Sequence, residues 1–238
     1  MKKNGLLNGI LNAFFPPRCV FCDKVDYLYD GVCKECLEKV EIIEEPVCLK
    51  CGMNKKECRC KSETHYFDGI CAPYSYEGVV RRGIHLYKFD KNRINAEPLA
   101  RMIAACVRER FPDVRFDMAV SVPVTKSRLR EEGFDHGALL AQAVANELNL
   151  LYDKTVLKKI YETKSQHLLN RVLRRGNLAG VFDVTDSAKV EGRTVLICDD
   201  VSTTGETLDE CSKMLYLAGA GMIYCCTLAL TRFTENKQ

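Results

Sequence analysis

The sequence lacks a long hydrophobic run, and this absence excludes a membrane-spanning helix. No stretch reaches the roughly 18 consecutive apolar residues that such a helix needs. The segment after the mildly basic start is interrupted by glycine and asparagine and ends in Pro16-Pro17, so the clean apolar run and cleavage site of a secretory signal are missing. Its apolar residues fit one face of a short helix. We expect a cytoplasmic protein without a membrane span.

Internal repeats and low-complexity segments are also absent, and no sign of charge dominates. Lys and Arg together number 35 and Asp and Glu 32, and a net charge of +3 does not by itself indicate a partner. The length of 238 residues suffices for one α/β domain and a small appended module.

Cysteine, by contrast, is abundant, with fourteen residues, eight of them between positions 19 and 60. Without an export signal, clustered cysteines indicate metal binding more than disulfides. Two residues between two cysteines form a tight turn that directs both thiolates at one ion, and two such turns complete the tetrahedron of a structural zinc site. The pairs are Cys19/Cys22, Cys33/Cys36, Cys48/Cys51 and Cys58/Cys60.

The cysteine pattern predicts one or two structural Zn²⁺ ions and leaves their ligand sets open. Sequential pairing would give one site from the first four cysteines and one from the last four, although Cys58 and Cys60 are separated only by Arg59. Interleaved pairing and reduced free thiols are the alternatives. The remaining cysteines are scattered among apolar residues, and we interpret them as small buried side chains: Cys71, Cys106, Cys198, Cys211, Cys225 and Cys226.

The composition changes after about residue 64, which divides the chain into a module at 1–64, with a short N-terminal helix and two zinc ribbons, and a domain at 65–238. In the second part, helix and strand patterns alternate, which predicts a mostly parallel sheet flanked by helices. The predicted strands are 67–76, 118–122, 155–161, 193–198 and 222–231, and the predicted helices are 77–89, 96–109, 138–148 and 204–217.

A basic stretch runs from Lys154 to Arg175, with seven Lys/Arg against the single acid Glu162. Such a stretch is often a solvated face. Here it includes the polar run from Thr163 to His167, which is also the composition of a phosphate-facing loop. A solvated face and a phosphate or nucleic-acid contact are therefore both open.

The most informative segment runs from Thr194 to Leu208, where an apolar strand ends in two adjacent carboxylates, Asp199 and Asp200. Ligands of open α/β sheets bind at this carboxyl edge of the strands. Hydroxyl residues, a glycine and a new helix follow, and their backbone amides can close on an anion. Thr203 and Glu206 have the spacing of a capping box. The alternative is a plain strand–turn–helix whose two acids are solvated.

The segment from Cys198 to Thr207 resembles the phosphoribosyl-pyrophosphate loop of type I phosphoribosyltransferases, which has apolar residues, Asp-Asp and then Thr-Thr-Gly-x-Thr. Together with the cysteine-rich start, the chain resembles the ComF/ComFC competence family, a double zinc ribbon joined to a phosphoribosyltransferase domain. The resemblance covers nearly the whole chain. It includes Phe15-Pro16-Pro17, Tyr76, Lys88, Val122-Pro123-Val124, Arg128, Gln166, Leu169, Arg175, Asn177 and Phe182.

The resemblance implies a type I phosphoribosyltransferase fold and a role for each residue of the loop. Asp199 and Asp200, at the catalytic centre, would bind the ribose hydroxyls of phosphoribosyl pyrophosphate, and Mg²⁺ would accompany its diphosphate. The residues that would surround the 5′-phosphate are Ser202, Thr203, Thr204, Gly205, Glu206 and Thr207. The residues that would face the pyrophosphate are Lys126, Arg128 and Arg130.

The chain departs from the family where Arg-Gly-Phe-Asn-Gln is replaced by Glu132-Gly133-Phe134-Asp135-His136, which puts an anion in place of a cation. Three functions are compatible with this pattern. The first is transfer of phosphoribosyl to an unidentified acceptor. The second is sensing of phosphoribosyl pyrophosphate or a nucleotide without turnover. The third is a zinc-ribbon adaptor for single-stranded DNA, and the family's association with natural transformation suggests a competence helicase as its partner.

Overall fold

The computed structural model describes residues 16–58, 60, 64–89, 93–160 and 181–232. The predicted N-terminal helix lies outside the described residues. So do Arg59 and the part of the basic stretch from residue 161 onward, with Gln166, Leu169, Arg175 and Asn177.

The secondary structure follows the predicted alternation of strands and helices. The strands are β1 (Leu28–Tyr29), β2 (Val32–Cys33), β3 (Gly69–Cys71), β4 (Tyr74–Ser75), β5 (Met118–Ser121), β6 (Leu151–Tyr152), β7 (Leu157–Lys159), β8 (Phe182–Val184), β9 (Thr194–Cys198), β10 (Val201–Ser202), β11 (Met222–Cys226) and β12 (Ala229–Leu230). The helices are α1 (Lys34–Leu37), α2 (Gly78–Phe89), α3 (Ala96–Arg110), α4 (Lys126–Glu132), α5 (His136–Leu148) and α6 (Glu206–Leu217).

The main sheet has five strands in the order β3-β11-β9-β5-β6, and every neighbouring pair is parallel. Strand β9 lies at its centre and is apolar because both of its faces are covered. Leu196 and Cys198 face a cluster that includes α3 and α5, whereas Val195 and Ile197 face a cluster that includes α6. The predicted α/β architecture, a mostly parallel sheet flanked by helices, is confirmed.

Two smaller sheets differ from the predicted pattern. The strand predicted at 222–231 is interrupted after Cys226, because the Thr227 N–H donates to the Cys71 carbonyl and the chain then continues as β12. Strands β10, β12 and β4 form a second parallel sheet beyond the carboxyl end of β9 and β11. Strands β7 and β8 form an antiparallel pair. A break of two residues, Thr227 and Leu228, therefore separates the main sheet from a small sheet that supports the loop after β9.

The cysteine-rich part packs directly on the α/β part. Val20 and Phe21 belong to the same buried cluster as Val80 and Ile84 of α2. Gly83 makes this contact close, since a Cβ at this position would lie 2.5 Å from Phe21 Cδ1. The predicted division near residue 64 therefore separates two regions that share one core. None of the helices in the described ranges has the length and hydrophobicity needed to cross a membrane.

Candidate functional site

The eight clustered cysteines form two groups, and each consists of four consecutive cysteines of the sequence. Within each group all four Sγ atoms lie within 4.8 Å of one another. A tetrahedral Zn²⁺ with Zn–S bonds of about 2.3 Å requires sulfur atoms about 3.8 Å apart. The Cys22–Cys33 and Cys48–Cys60 Sγ distances are 3.7 Å and 3.9 Å. Both groups therefore fit structural zinc, and the grouping is the sequential one: Cys19, Cys22, Cys33 and Cys36, then Cys48, Cys51, Cys58 and Cys60.

The first group is tied to the α/β part by α2. Arg82 donates from Nε to the Phe21 carbonyl at 2.9 Å, and its Nη2 lies 3.9 Å from Cys36 Sγ. A cation close to a thiolate cluster stabilises its negative charge, as the outer partners of metal ligands do. The six other cysteines are all buried, as their apolar surroundings predicted.

The two adjacent carboxylates lie at the carboxyl edge of the main sheet, at the end of its central strand. The Asp199 N–H donates to the Cys226 carbonyl at 3.0 Å, which extends the β9–β11 ladder by one residue. The Asp200 N–H donates to Asp199 Oδ1 at 2.8 Å, while the Asp200 carbonyl accepts from Leu228. Backbone hydrogen bonds thus fix Asp199 and Asp200, called the dyad below, at the edge where ligands of open α/β sheets bind.

The dyad contacts a cation that is distant in sequence. Lys88, in the last turn of α2, places its Nζ 2.7 Å from Asp200 Oδ1. Burial and the neighbouring Asp200 raise the pKa of Asp199 to about 7. Burial opposes the charge of Lys88, but the attraction of Asp200 and Asp199 outweighs it and raises the pKa of the ammonium. Lys88 is therefore held as an ammonium beside Asp200, and the pKa of Asp199 lies well above that of an ordinary carboxyl.

Helix α4 carries the three residues expected on the pyrophosphate side. Thr125 caps it by accepting from the Arg128 N–H, and Lys126, Arg128 and Arg130 are all exposed. The Arg128 charge lowers the pKa of Asp199 and also that of Lys88, so it acts on the dyad directly. Arg130 Nε donates to the Lys126 carbonyl at 3.3 Å. The structure therefore places Arg128 within electrostatic reach of the carboxylates.

The loop after the dyad forms the turn that its composition predicted, with one correction. Ser202 is buried in β10, while Thr203 is exposed and Thr204, Glu206 and Thr207 are half-buried. Helix α6 begins at Glu206, and its N-cap is Gly205 with a left-handed φ of 78°. The predicted capping box of Thr203 with Glu206 is wrong, because the left-handed glycine places the N-cap two residues later. Nothing lies within 4 Å of a Cβ built on Gly205, so the turn opens to solvent.

The residues that depart from the family pattern have local structural roles. Asp135 caps α5 by accepting from the Ala138 N–H at 2.9 Å. His136 is buried; its carbonyl accepts from the Tyr87 hydroxyl, and its ring packs against those of Tyr87 and Phe134. Glu132 ends α4, and its side chain is outside the part of the chain that the structure describes. Asp135 and His136 thus order the helix that follows the pyrophosphate-side segment.

Sequence reasoning gave no individual role to two cations, Lys88 and Lys159, although Lys159 belongs to the basic stretch that starts at Lys154. The resemblance includes Lys88 without giving it a role, and its partner Asp200 is far along the chain. Lys159, at the end of β7, is half-buried with its Nζ 5.5 Å from the centre of the Phe182 ring. Burial and the charge of Arg128 lower the pKa of Lys159. Lys88 on α2 therefore contacts the dyad directly, and Arg128 on α4 acts on it electrostatically.

Comparison with known families identifies both parts of the chain. Residues 10–72 match the double zinc ribbon domain, and residues 135–237 match the phosphoribosyl transferase domain. The second match includes the dyad and the complete loop, whereas Lys88 and α4 precede it. The chain therefore combines a double zinc ribbon domain with a phosphoribosyl transferase domain.

Several relatives match the chain over most of its length. The chain is 28% identical over 209 residues to the DNA utilization protein YhgH of Escherichia coli O157:H7, covering 84% of this chain and 91% of the relative. It is 27% identical over 226 residues to competence protein F of Haemophilus influenzae, covering 91% and 98%. With competence protein ComFC of Bacillus subtilis the identity is 27% over 219 residues, covering 85% and 83%. The resemblance to the ComF/ComFC competence family is confirmed.

Proposed function

We propose that the chain binds phosphoribosyl pyrophosphate together with Mg²⁺ at the loop from Asp199 to Thr207. The observation that carries the proposal is the Asp199–Asp200 dyad at the carboxyl edge of the sheet, with the ammonium of Lys88 at 2.7 Å and the charge of Arg128 close by. Carboxylates accept hydrogen bonds from a sugar diol, and the cations complement phosphate groups. The ligand combines both kinds of group in one molecule.

Each part of the loop has a distinct task in this proposal. Asp199 and Asp200 would accept from the ribose hydroxyls, and the open turn from Thr203 to Thr207 would surround the 5′-phosphate at the start of α6. A helix N-terminus offers unpaired N–H groups and a partial positive charge to an anion. Arg128 would face the diphosphate, with Lys126 and Arg130 on the same exposed helix. The carboxylate oxygens also fit the hard oxygen ligands that Mg²⁺ prefers.

Transfer of the phosphoribosyl group to an acceptor is the reaction we propose for this site. When bound, Mg²⁺ would neutralise charge on the departing pyrophosphate. The carboxylates of Asp199 and Asp200 would hold the ribose and stabilise the cationic character that develops at its ring. The acceptor is unassigned, so binding without turnover, as in a sensor, is the alternative that the activity assay decides.

The test is titration of the zinc-loaded full chain with phosphoribosyl pyrophosphate and Mg²⁺ by calorimetry, followed by pyrophosphate release with candidate acceptors. Asp199→Asn with Asp200→Asn should weaken binding at least about tenfold, since amides attract Mg²⁺ much less than carboxylates do. Asp113→Asn with Asp183→Asn removes two charges from outside the site and should leave binding unchanged. Equal binding by the dyad variant and the wild type would refute the assignment.

The biological setting rests on the names of the relatives, which refer to DNA utilization and competence. We propose that this chain also acts in the handling of incoming DNA, with single-stranded DNA and a competence helicase as partners. Basic residues that contact nucleic acid release counterions, so binding of a labelled single-stranded oligonucleotide should weaken as salt increases. An oligonucleotide that does not bind even at low salt would contradict the adaptor role.

A further inference from the structure

Lys88 is the direct counter-ion of the carboxylate dyad. Its Nζ lies 2.7 Å from Asp200 Oδ1, and the two side chains retain only 26% and 11% of their solvent exposure. Two further charged groups act on Lys88: Asp199, which follows β9, and Arg128 on α4. Removing one partner of a buried pair leaves an uncompensated charge, which costs more than the loss of a surface ion pair. The site therefore contains its own cation.

This arrangement affects two classes of ligand in opposite ways. Two adjacent carboxylates without a counter-ion attract a divalent cation, which takes oxygen ligands at short distance. The Lys88 ammonium repels a divalent cation, and it occupies Asp200 Oδ1, an oxygen that could otherwise bind that cation. The same ammonium attracts a polyphosphorylated sugar, whose metal complex still has a net negative charge. Lys88 thus favours the complexed polyanion over the free metal ion.

We propose that Lys88 is a specificity-determining residue of this site: it excludes a free divalent cation from Asp199 and Asp200 and admits the sugar diphosphate with its metal. The inference rests on the proposed function. It adds that the site binds the metal complex of the sugar diphosphate in preference to the free metal ion. A purely structural ion pair is the competing explanation. Loss of a structural pair would lower the affinity for both ligands, whereas loss of an excluding cation changes the two affinities in opposite directions.

The experiment compares Lys88→Met with wild type in the zinc-loaded full chain. Mn²⁺ alone, followed by its electron spin resonance signal, reports the free cation, and phosphoribosyl pyrophosphate with Mg²⁺, followed by calorimetry, reports the proposed ligand. We expect Lys88→Met to bind Mn²⁺ at least about fivefold more tightly and the sugar diphosphate at least about tenfold more weakly. Lys88→Arg keeps the charge and should retain the wild-type preference for both probes.

Lys39→Met is the matched control, because Lys39 is an exposed lysine that pairs with Glu35 within the cysteine-rich part. It should leave both affinities unchanged. Zinc content and circular dichroism verify the fold, and Lys88→Gln, which keeps a hydrogen-bond donor, takes the place of Lys88→Met if the latter does not fold.

Weaker or unchanged Mn²⁺ binding by the neutral variant would overturn the inference, as would unchanged binding of the sugar diphosphate. These results are distinguishable from failure of the proposed function. If wild type binds no phosphoribosyl pyrophosphate, the proposed function fails, and the Mn²⁺ measurement still decides whether Lys88 excludes a cation.

Discussion

Replacing Asp199 by asparagine should stabilise the ligand-free protein, and more so at alkaline pH. Burial and Asp200 raise the pKa of the Asp199 carboxyl to about 7 in the folded chain, from an ordinary value of 3.8. The folded state therefore holds this proton more tightly than the unfolded state. Stability falls as pH rises between the two values, because folding opposes ionisation. Asparagine removes the charge and keeps the oxygen that accepts from the Asp200 N–H.

The magnitude follows from the width of that pH interval. The cost of ionisation grows by about 1.4 kcal/mol for each pH unit up to the folded pKa and is constant above it. Between about pH 6 and about pH 8.5, the advantage of Asp199→Asn should therefore increase by at most about 1.4 kcal/mol. Asp199 is half-buried rather than fully enclosed, so solvent screening reduces the expected increase to about 1 kcal/mol.

Urea unfolding of wild type and variant at both pH values measures this difference, and zinc content is kept equal. Asp153→Asn is the control of opposite sign. Lys189 and Thr155 hold the pKa of Asp153 at about 2, so its ionised form stabilises the fold at any pH well above 4. That variant should lose the same stability at both pH values. If Asp199→Asn shows no greater advantage at the higher pH, burial and Asp200 do not raise the pKa of Asp199 as described above.

Two further predictions concern the zinc groups and the packing of α2 against the cysteine-rich part. Metal analysis of the reduced protein should find about two Zn²⁺ per chain. Chelation should lower the melting temperature of the whole chain, because the first cysteine group shares the main core. Less than one Zn²⁺ in a folded sample would contradict both statements. Gly83→Ala should cost about 1–3 kcal/mol in urea unfolding, because the new Cβ would overlap Phe21. Gly137→Ala is its control, with no atom closer than 3.5 Å, and equal stability of the two variants would refute the close contact.

The parts of the site that depend on short sequence separations were predictable. Each zinc group joins two cysteine pairs whose spacing already aims the thiolates at one ion, and the structure only had to decide between sequential and interleaved pairing. The position of Asp199 and Asp200 followed from the apolar strand before them, which could only lie inside a covered sheet.

Other features depend on contacts that a local pattern does not contain. The pairing of Lys88 with Asp200 arises because α2 and the end of β9 meet in the folded chain. The N-cap of α6 shifted because Gly205 adopts a left-handed conformation, which competes with the capping box of Thr203. The strand predicted up to residue 231 breaks at Thr227, whose N–H pairs with Cys71 on β3.

Helix α2 links the first cysteine group to the candidate site at Asp199 and Asp200. Arg82 and Gly83 seat the helix on the first cysteine group, and Lys88 reaches Asp200 from its last turn. A helix rises about 1.5 Å per residue, so these contacts are about 9 Å apart on one rigid rod. If α2 tilted where it contacts the first cysteine group, the Lys88 ammonium at its other end would move away from the Asp200 carboxylate. A variant that lacks residues 1–64 would therefore lose the contacts that position α2 and Lys88. Its affinity for phosphoribosyl pyrophosphate would not represent that of the intact protein.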